Sequence, residues 1–272
     1  MKGLATLPVL YMINTTNLVD IKNLLDLLLV EIQKVLGKKL KGLYLYGSLV
    51  WGDFDIGVSD IDLLATTSDE VSDSEFTRLK EMHEDFAKMH PAWDNHVEVQ
   101  YASESGLKTF RTRSSKMAVI SPGEAFLVID AGIDWLTNWY FVQDYGLTLF
   151  GPSPNQFIDP ISKDEFVQAV YDHALFWKDH VKQTRNARPY QSYAVLTLCR
   201  ALYTVAHKQQ VSKKNAAEWA ASQFLEWADF IREALYVRSH AAETTQADAD
   251  NAFPKTERFV LDAIEKIKQL RG

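Results

Sequence analysis

The sequence predicts an α/β domain, a small mixed sheet with helices, followed by an all-α helical bundle. Three observations carry that prediction. Up to about residue 150, short apolar runs of strand character alternate with helical periodicity. The stretch Gly151-Pro152-Ser153-Pro154 is then the strongest punctuation in the chain, and glycine and proline clusters mark turns and domain joints. Beyond it every periodic stretch reads as helix. Strands mixed with helices and then helices alone is the pattern of a layered domain joined to a bundle. The expected domains are residues 1–155 and 156–272.

Leu18, Ile21, Leu24, Leu25, Leu28, Ile32 and Leu36 recur at helical spacing over residues 17–36, and Gly37 follows as a helix stop. Leu43-Tyr44-Leu45-Tyr46 reads as a buried strand closed by a sharp Gly47-Ser48 turn. A connector carrying Gly52 and Gly57 leads through Ser59-Asp60-Ile61-Asp62 into a second apolar run, Leu63-Leu64-Ala65. After polar residues 68–74 an amphipathic helix spans about 75–89 and ends at His90-Pro91, because proline disfavours helix in the residue before it. Val97-Glu98-Val99-Gln100-Tyr101 alternates and is β-branched, which makes it a strand. Residues 103–123 are polar without period and receive no element, and helical pattern resumes over 124–145 with Trp135, Trp139 and Tyr140. In the second half helices are expected at about 162–183, 189–208, 212–222, 224–240 and 254–270, with the acidic stretch 243–251 as a loop and no internal repeat.

With 272 residues, 47% of them hydrophobic and 24% charged, the chain has the composition of an ordinary globular protein with a sizeable core. Its net charge of −7 argues against nucleic acid as a partner, which needs clustered Lys and Arg, and suits a cationic small substrate. Cys199 is the single cysteine, so no internal disulfide forms and a reducing compartment is expected. The apolar run at residues 4–12 is too short and too weakly basic for a secretory signal. No stretch approaches the ~20 apolar residues of a membrane span. A cytoplasmic protein with no membrane partner is the expectation. The seven histidines lack metal-ligand spacing, and Cys199, Trp135 and Trp139 read as packing residues.

The chemistry concentrates between residues 41 and 67. In an extended segment side chains alternate faces, so Asp60 and Asp62 point one way while Ile61 points into the core. Two carboxylates side by side suit a hard cation such as Mg²⁺. Just upstream, Gly47 permits close backbone approach, and Ser48 offers a hydroxyl beside backbone N–H groups to an anion. Ser59 either does the same or opens the turn. A phosphate cradle beside a carboxylate pair is the apparatus of phosphoryl or nucleotidyl transfer. Glu98 is a third carboxylate, set in an apolar strand and facing away from Val97 and Val99. If its strand neighbours the one bearing Asp62, Glu98 points at the same site; otherwise it faces solvent. The loop acids Asp53 and Asp55 read as solvated. Farther on, Arg200 lies inside a nearly continuous apolar helix, where a guanidinium needs a carboxylate or a phosphate for a partner.

The Gly47-Ser48 turn, followed twelve residues after Ser48 by Asp60-Ile61-Asp62, resembles the signature of the DNA polymerase β-type nucleotidyltransferase superfamily. Within it, the LYGS…SDIDLL stretch resembles the aminoglycoside adenylyltransferases of the streptomycin/spectinomycin class. So do Leu196-Thr197-Leu198-Cys199-Arg200, Ser212-Lys213-Lys214 and Ala216-Ala217-Glu218-Trp219-Ala220 in the later half. The resemblance covers residues 40–240 in patches. It implies that Asp60, Asp62 and Glu98 bind two Mg²⁺ ions and that Glu98 also serves as catalytic base. It further implies that Gly47, Ser48 and Ser59 contact the nucleotide, that Arg200 and Lys213 hold its phosphates, and that Tyr236 contacts adenine. Trp177 matches a substrate-contacting tryptophan, and Asp179 and Asp134 are carried as acceptor-binding acids. The basic run Lys178, Lys182, Arg185 and Arg188 departs from the acidic pattern of the relatives. The implied reaction moves AMP from ATP to a hydroxyl of a small molecule, an aminoglycoside by preference, releasing pyrophosphate, in a monomer. Other acceptors, a lincosamide-type antibiotic or a protein, and a non-catalytic nucleotide-binding regulator are the alternatives. Retention of all three carboxylates speaks against the regulator, because a binding module needs no base.

Overall fold

The computed structural model describes residues 15–51 and 53–271, so the apolar run at 4–12 and Gly52 lie outside the described residues. The chain divides into two compact units, Met1–Ile161 and Ser162–Gly272. The first holds α1 (Thr15–Leu36), β1 (Leu40–Tyr46), α2 (Ser48–Trp51), β2 (Ile61–Thr67), α3 (Asp73–Met89), β3 (Val97–Ser103), α4 (Glu104–Thr109), β4 (Ser115–Ile120), β5 (Leu127–Ala131), α5 (Leu136–Tyr145) and β6 (Leu147–Phe150). The strands form one six-stranded sheet in the order β5-β4-β3-β2-β1-β6. Only β2 and β3 run parallel, and a parallel pair needs a crossover, which α3 provides.

Strand alternation splits the sheet into two faces. Leu43, Leu45, Ile61, Leu63, Val99 and Tyr101 join a core with Ile21, Leu24, Leu28 and Ile32 of α1 and Leu79 and Phe86 of α3. Full burial of such side chains contributes about 1.5–3 kcal/mol each, so the stripe on α1 fixes the helix to the sheet. A capping box at Ser72 and Glu75 starts α3. Lys39 anchors the same corner, its ammonium 2.6 Å from Glu75. On the opposite face lie Tyr44, Tyr46, Asp62, Leu64, Glu98 and Gln100, and Asn138 of α5 reaches across to the Tyr46 hydroxyl.

Two expectations are corrected here. The polar stretch 103–123 holds α4 and β4, and the stretch expected to be helical over 124–145 opens with β5 before α5 begins. α4 is announced by Ser103, whose hydroxyl accepts from Gly106 N–H. β5 exists because β4 pairs with it, Lys116 standing opposite Asp130 with their charges 2.8 Å apart. That pairing is non-local, so no periodicity within residues 124–145 announces it.

The second unit consists of α6 (Lys163–His180), α7 (Arg188–His207), α8 (Lys213–Gln223), α9 (Ala228–Ser239) and α10 (Gln246–Arg271). α7 is its axis, packed against all four others, and a helix apolar on every side belongs in such a position. Serine caps open α6 and α8, at Ser162 and Ser212. The expected loop at 243–251 is mostly helix. α10 starts at Gln246, where Asp248 N–H donates to Thr245 Oγ1 and Thr245 N–H to Asp248 Oδ2, and it runs on through Pro254. Cys199 is free and fully buried, and burial pushes its thiol pKa up. Among the described residues no helix is long and apolar enough to cross a membrane.

Candidate active site

β1 ends at Tyr46, and Gly47 turns the chain with φ +76. That left-handed conformation favours glycine, and a Cβ at this position would overlap the Asp62 carboxylate. The Gly47 carbonyl then accepts from Val50 N–H at 3.1 Å and Trp51 N–H at 3.3 Å, closing the short helix that Ser48 begins. Ser59 is buried, and its hydroxyl accepts from Asp55 N–H at 3.0 Å while its own N–H donates to Asp55 O at 2.8 Å. These bonds tie the connector, and the hydroxyl accepts in the one from Asp55 N–H.

Asp60 and Asp62 flank the fully buried Ile61. The Ile61 N–H donates to His96 O at 2.8 Å, and His96 Nδ1 stands 3.5 Å from Asp60 Oδ1. Asp62 is paired with Tyr46 on one side and with Glu98 on the other. β3 is therefore the neighbour of the aspartate strand, the condition under which Glu98 faces the same site. One step beyond the Val99↔Ile120 pair, Ser121 extends the row. Three strands and the residue just past β4 thus carry Tyr46, Asp62, Glu98 and Ser121 side by side, neighbouring strands standing about 4.8 Å apart.

Glu98 accepts from Gln100 Nε2 at 2.8 Å on Oε1 and from Ser121 Oγ at 3.1 Å on Oε2. Burial pushes its pKa above the ordinary carboxylate value; the two hydrogen bonds oppose this, and the charges of Asp60 and Glu124 add to it. A carboxylate shifted toward neutrality is better matched to taking a proton. Tyr46 is buried, and its phenol pKa is raised first by burial and then by Asp62 and Glu98. Its oxygen accepts from Gln100 Nε2 at 2.5 Å and Asn138 Nδ2 at 3.4 Å. Tyr46, Gln100, Ser121 and His96 are not among the site candidates read from sequence. Alternation from Glu98 points to Gln100, and adjacency to Gly47 points to Tyr46; nothing local points to Ser121.

No three His, Cys, Asp or Glu side chains among the described residues form a ready-made metal cage. Mg²⁺ does not ask for one: it takes one or two carboxylates and completes an octahedron with water and substrate phosphates. Asp60 and Asp62, with Glu98 in the next strand, supply an all-oxygen donor set that fits this ion.

The remaining candidates lie on other elements of the chain. Asp134 is exposed, and its Oδ1 accepts from Gly132 N–H at 2.9 Å, capping a local turn. Within the helical unit, Arg200 is half-buried on α7 and its charge helps lower the His173 pKa, after burial. Lys213 opens α8 with its ammonium 4.7 Å from the centre of the Tyr193 ring. The fully buried arginine of this unit is another one: Arg188, paired with Glu233 at 2.7 Å. Trp177 is buried, its indole N–H donating to His173 Nε2 at 3.3 Å. Asp179 is exposed on α6. Tyr236 is 58% exposed, one face of its ring stacked on His240 at 3.9 Å.

Comparison with known proteins agrees with this geometry. Residues 29–116 match the model of the nucleotidyltransferase domain, and residues 156–264 match that of the aminoglycoside adenylyltransferase C-terminal domain. No curated protein matches the chain significantly. Among solved structures, spectinomycin adenyltransferase AAD(9) from Enterococcus faecialis, crystallised with ATP and spectinomycin, superposes with a TM-score of 0.70. It is 17% identical, and the match covers 91% of this chain and 99% of that one. At that identity the likeness speaks for the fold. A nucleotidyltransferase domain followed by the C-terminal domain of aminoglycoside adenylyltransferases, with a matching solved fold, supports an aminoglycoside adenylyltransferase.

Proposed function

We propose that the protein transfers AMP from ATP to a hydroxyl of an aminoglycoside-type antibiotic and releases pyrophosphate. The observation that carries the reading is the in-register pair of Asp62 and Glu98 on parallel strands, with Asp60 on the same face. Asp60 and Asp62 would hold two Mg²⁺ ions, with Glu98 as a third ligand. When bound, Mg²⁺ neutralises the triphosphate and favours in-line attack at the α-phosphorus. Glu98, in register with Asp62 on the next strand, takes the acceptor's proton. The Gly47-Ser48 turn receives phosphate oxygens on backbone N–H and hydroxyl groups. Arg200 and Lys213 bind the phosphates through charge-assisted hydrogen bonds, and Tyr236 stacks on adenine with the ring face not covered by His240.

For the acceptor, support comes from the C-terminal domain match and from the neighbour solved with spectinomycin. The chain's net charge of −7 also favours a cationic partner. Asp134 and Asp179 are the acids assigned to its amino groups. We keep the protein as a cytoplasmic monomer that binds neither nucleic acid nor membrane.

The test is to incubate purified protein with ATP, Mg²⁺ and a panel of antibiotics including spectinomycin, streptomycin and a lincosamide. Mass spectrometry should find an adenylylated aminoglycoside. An adenylylated lincosamide or protein instead would overturn the acceptor; no transfer to anything would overturn the reaction.

A further inference from the structure

The Glu98 carboxylate is gripped from two sides. Gln100 Nε2 reaches Oε1 at 2.8 Å, and Ser121 Oγ reaches Oε2 at 3.1 Å. The Gln100 amide is fully buried, and the same nitrogen donates to Tyr46 Oη at 2.5 Å, which ties it to the neighbouring strand pair. A carboxylate oxygen has two lone pairs, so one donor on each leaves one lone pair on each for a ligand or a proton. A glutamate side chain has three rotatable bonds, and without such contacts it samples several rotamers. Misplacement of a reacting group by about 1 Å can cost on the order of 100-fold in rate.

The turn after β4 does not depend on the Ser121 hydroxyl for its shape. It is closed by the Ser121 backbone carbonyl, which accepts from Glu124 N–H at 3.1 Å. The hydroxyl's bond is to Glu98, from the position opposite it across β3 and β4.

We infer that Gln100 and Ser121 are positioning residues that aim the Glu98 carboxylate at the acceptor hydroxyl. The inference rests on the reading of Glu98 as general base. Gln100 sets the carboxylate from within its own strand, and Ser121 sets it from the turn that follows β4. Ser121 is the cleaner probe, because it is half-buried at a turn, whereas Gln100 supports Tyr46 as well.

The experiment compares wild type, Ser121→Ala, Ser121→Thr, Glu98→Gln and the Glu98→Gln/Ser121→Ala double variant. Pyrophosphate release is measured with ATP, Mg²⁺ and spectinomycin, alongside thermal melting. Loss of a hydrogen bond to a charged group corresponds to roughly 10–100-fold. Ser121→Ala should lose about that much in kcat with KM for ATP unchanged and melting unchanged, and Ser121→Thr should recover most of it. In the Glu98→Gln background, Ser121→Ala should cost nothing further. Crystal structures give a readout independent of turnover: Glu98 should occupy one rotamer in wild type and spread over several in Ser121→Ala. A single unchanged rotamer, or a Ser121→Ala rate equal to wild type while Glu98→Gln is dead, overturns the positioning role alone. A Glu98→Gln enzyme with the wild-type rate overturns the base reading, and the positioning role with it.

Discussion

Gly47 and Asp62 are packed so closely that the space a Cβ would need at Gly47 is taken by the Asp62 carboxylate. The turn proposed to face the triphosphate and the strand proposed to carry the metal ligands are thereby locked to each other. Gly47→Ala should displace Asp62 and impose a left-handed alanine, at about 1–2 kcal/mol for the backbone alone. Because 1 kcal/mol shifts melting by roughly 2–4 °C in a protein of this size, a fall of several degrees is expected. Pyrophosphate release should drop by much more than that loss of folded protein explains. A Gly47→Ala protein with normal turnover would show that the turn tolerates displacement and has no part in the site.

The metal assignment is tested by charge removal. Asp60→Asn and Asp62→Asn keep size and polarity, so the fold should survive, while turnover should collapse. Wild type should gain about 2.7 kcal/mol from Mg-ATP at 100 times its Kd, since a ligand bound only by the folded state stabilises it. The two variants should lose most of that gain, and EDTA should abolish it in wild type. Retained turnover in either variant would remove that aspartate from the metal site.

His83 supplies a pH signature of the fold. It is buried beneath the sheet, its Nε2 2.8 Å from the Tyr101 hydroxyl, and burial pulls its pKa down from 6.5 to about 4. The folded state thus resists a proton that the unfolded state takes up, so stability is full above pH 6.5 and falls as the pH drops from there toward 4. The difference corresponds to roughly 3 kcal/mol at 1.36 kcal/mol per unit. Glu75, held at about 2 by Lys39 and Ser72 against the opposing effect of burial, adds a further loss below about pH 4.5. Urea denaturation at pH 7, 5.5 and 4.5 should show the decline, and His83→Gln should flatten it. An unchanged slope in that variant would mean another group takes up the proton.

The contrast between what the sequence disclosed and what it withheld follows strand pairing. Asp60, Asp62 and Glu98 were legible because alternation in a strand is local, and the β1 and β2 runs are apolar enough to show where the strands lie. Whether Glu98 faced the site depended on β3 lying beside β2, a relation between residues far apart in sequence that only the sheet discloses. Ser121 was hidden for the same reason. β4 emerges from a polar stretch, and β5 is a short, half-exposed edge strand that exposes the apolar Val128 beside Asp130, so its alternation does not show in the residue types. Arg200 stood out in sequence as the charge inside an apolar helix, yet the arginine fully buried on that helix is Arg188, at its first turn. Polarity of the neighbours in sequence does not tell which face of a helix a partner covers.

That distinction sets up the last prediction. Arg188 is 2% exposed and bonds Glu233 at 2.7 Å and Ser192 at 3.1 Å, so its role is structural. Arg188→Ala leaves a buried hydroxyl and a carboxylate without their donor, a loss of about 1–3 kcal/mol that lowers melting. Because Glu233 remains half exposed, water takes up part of that loss. ATP affinity of the folded Arg188→Ala protein should be unchanged. Arg200 and Lys213 are both half-buried, and Lys213 begins α8. Arg200→Ala and Lys213→Ala should melt close to wild type without ligand, and each should weaken ATP by roughly 1.5–3 kcal/mol, about 10–150-fold. Melting each protein with and without Mg-ATP separates the two behaviours in one experiment. Wild type and Arg188→Ala should show the full ligand-induced rise, from different starting temperatures, while Arg200→Ala and Lys213→Ala should show little rise from a normal start. If Arg200→Ala instead melts far lower yet keeps the full rise, Arg200 belongs with Arg188 as a structural residue, and the phosphate contact must be assigned elsewhere.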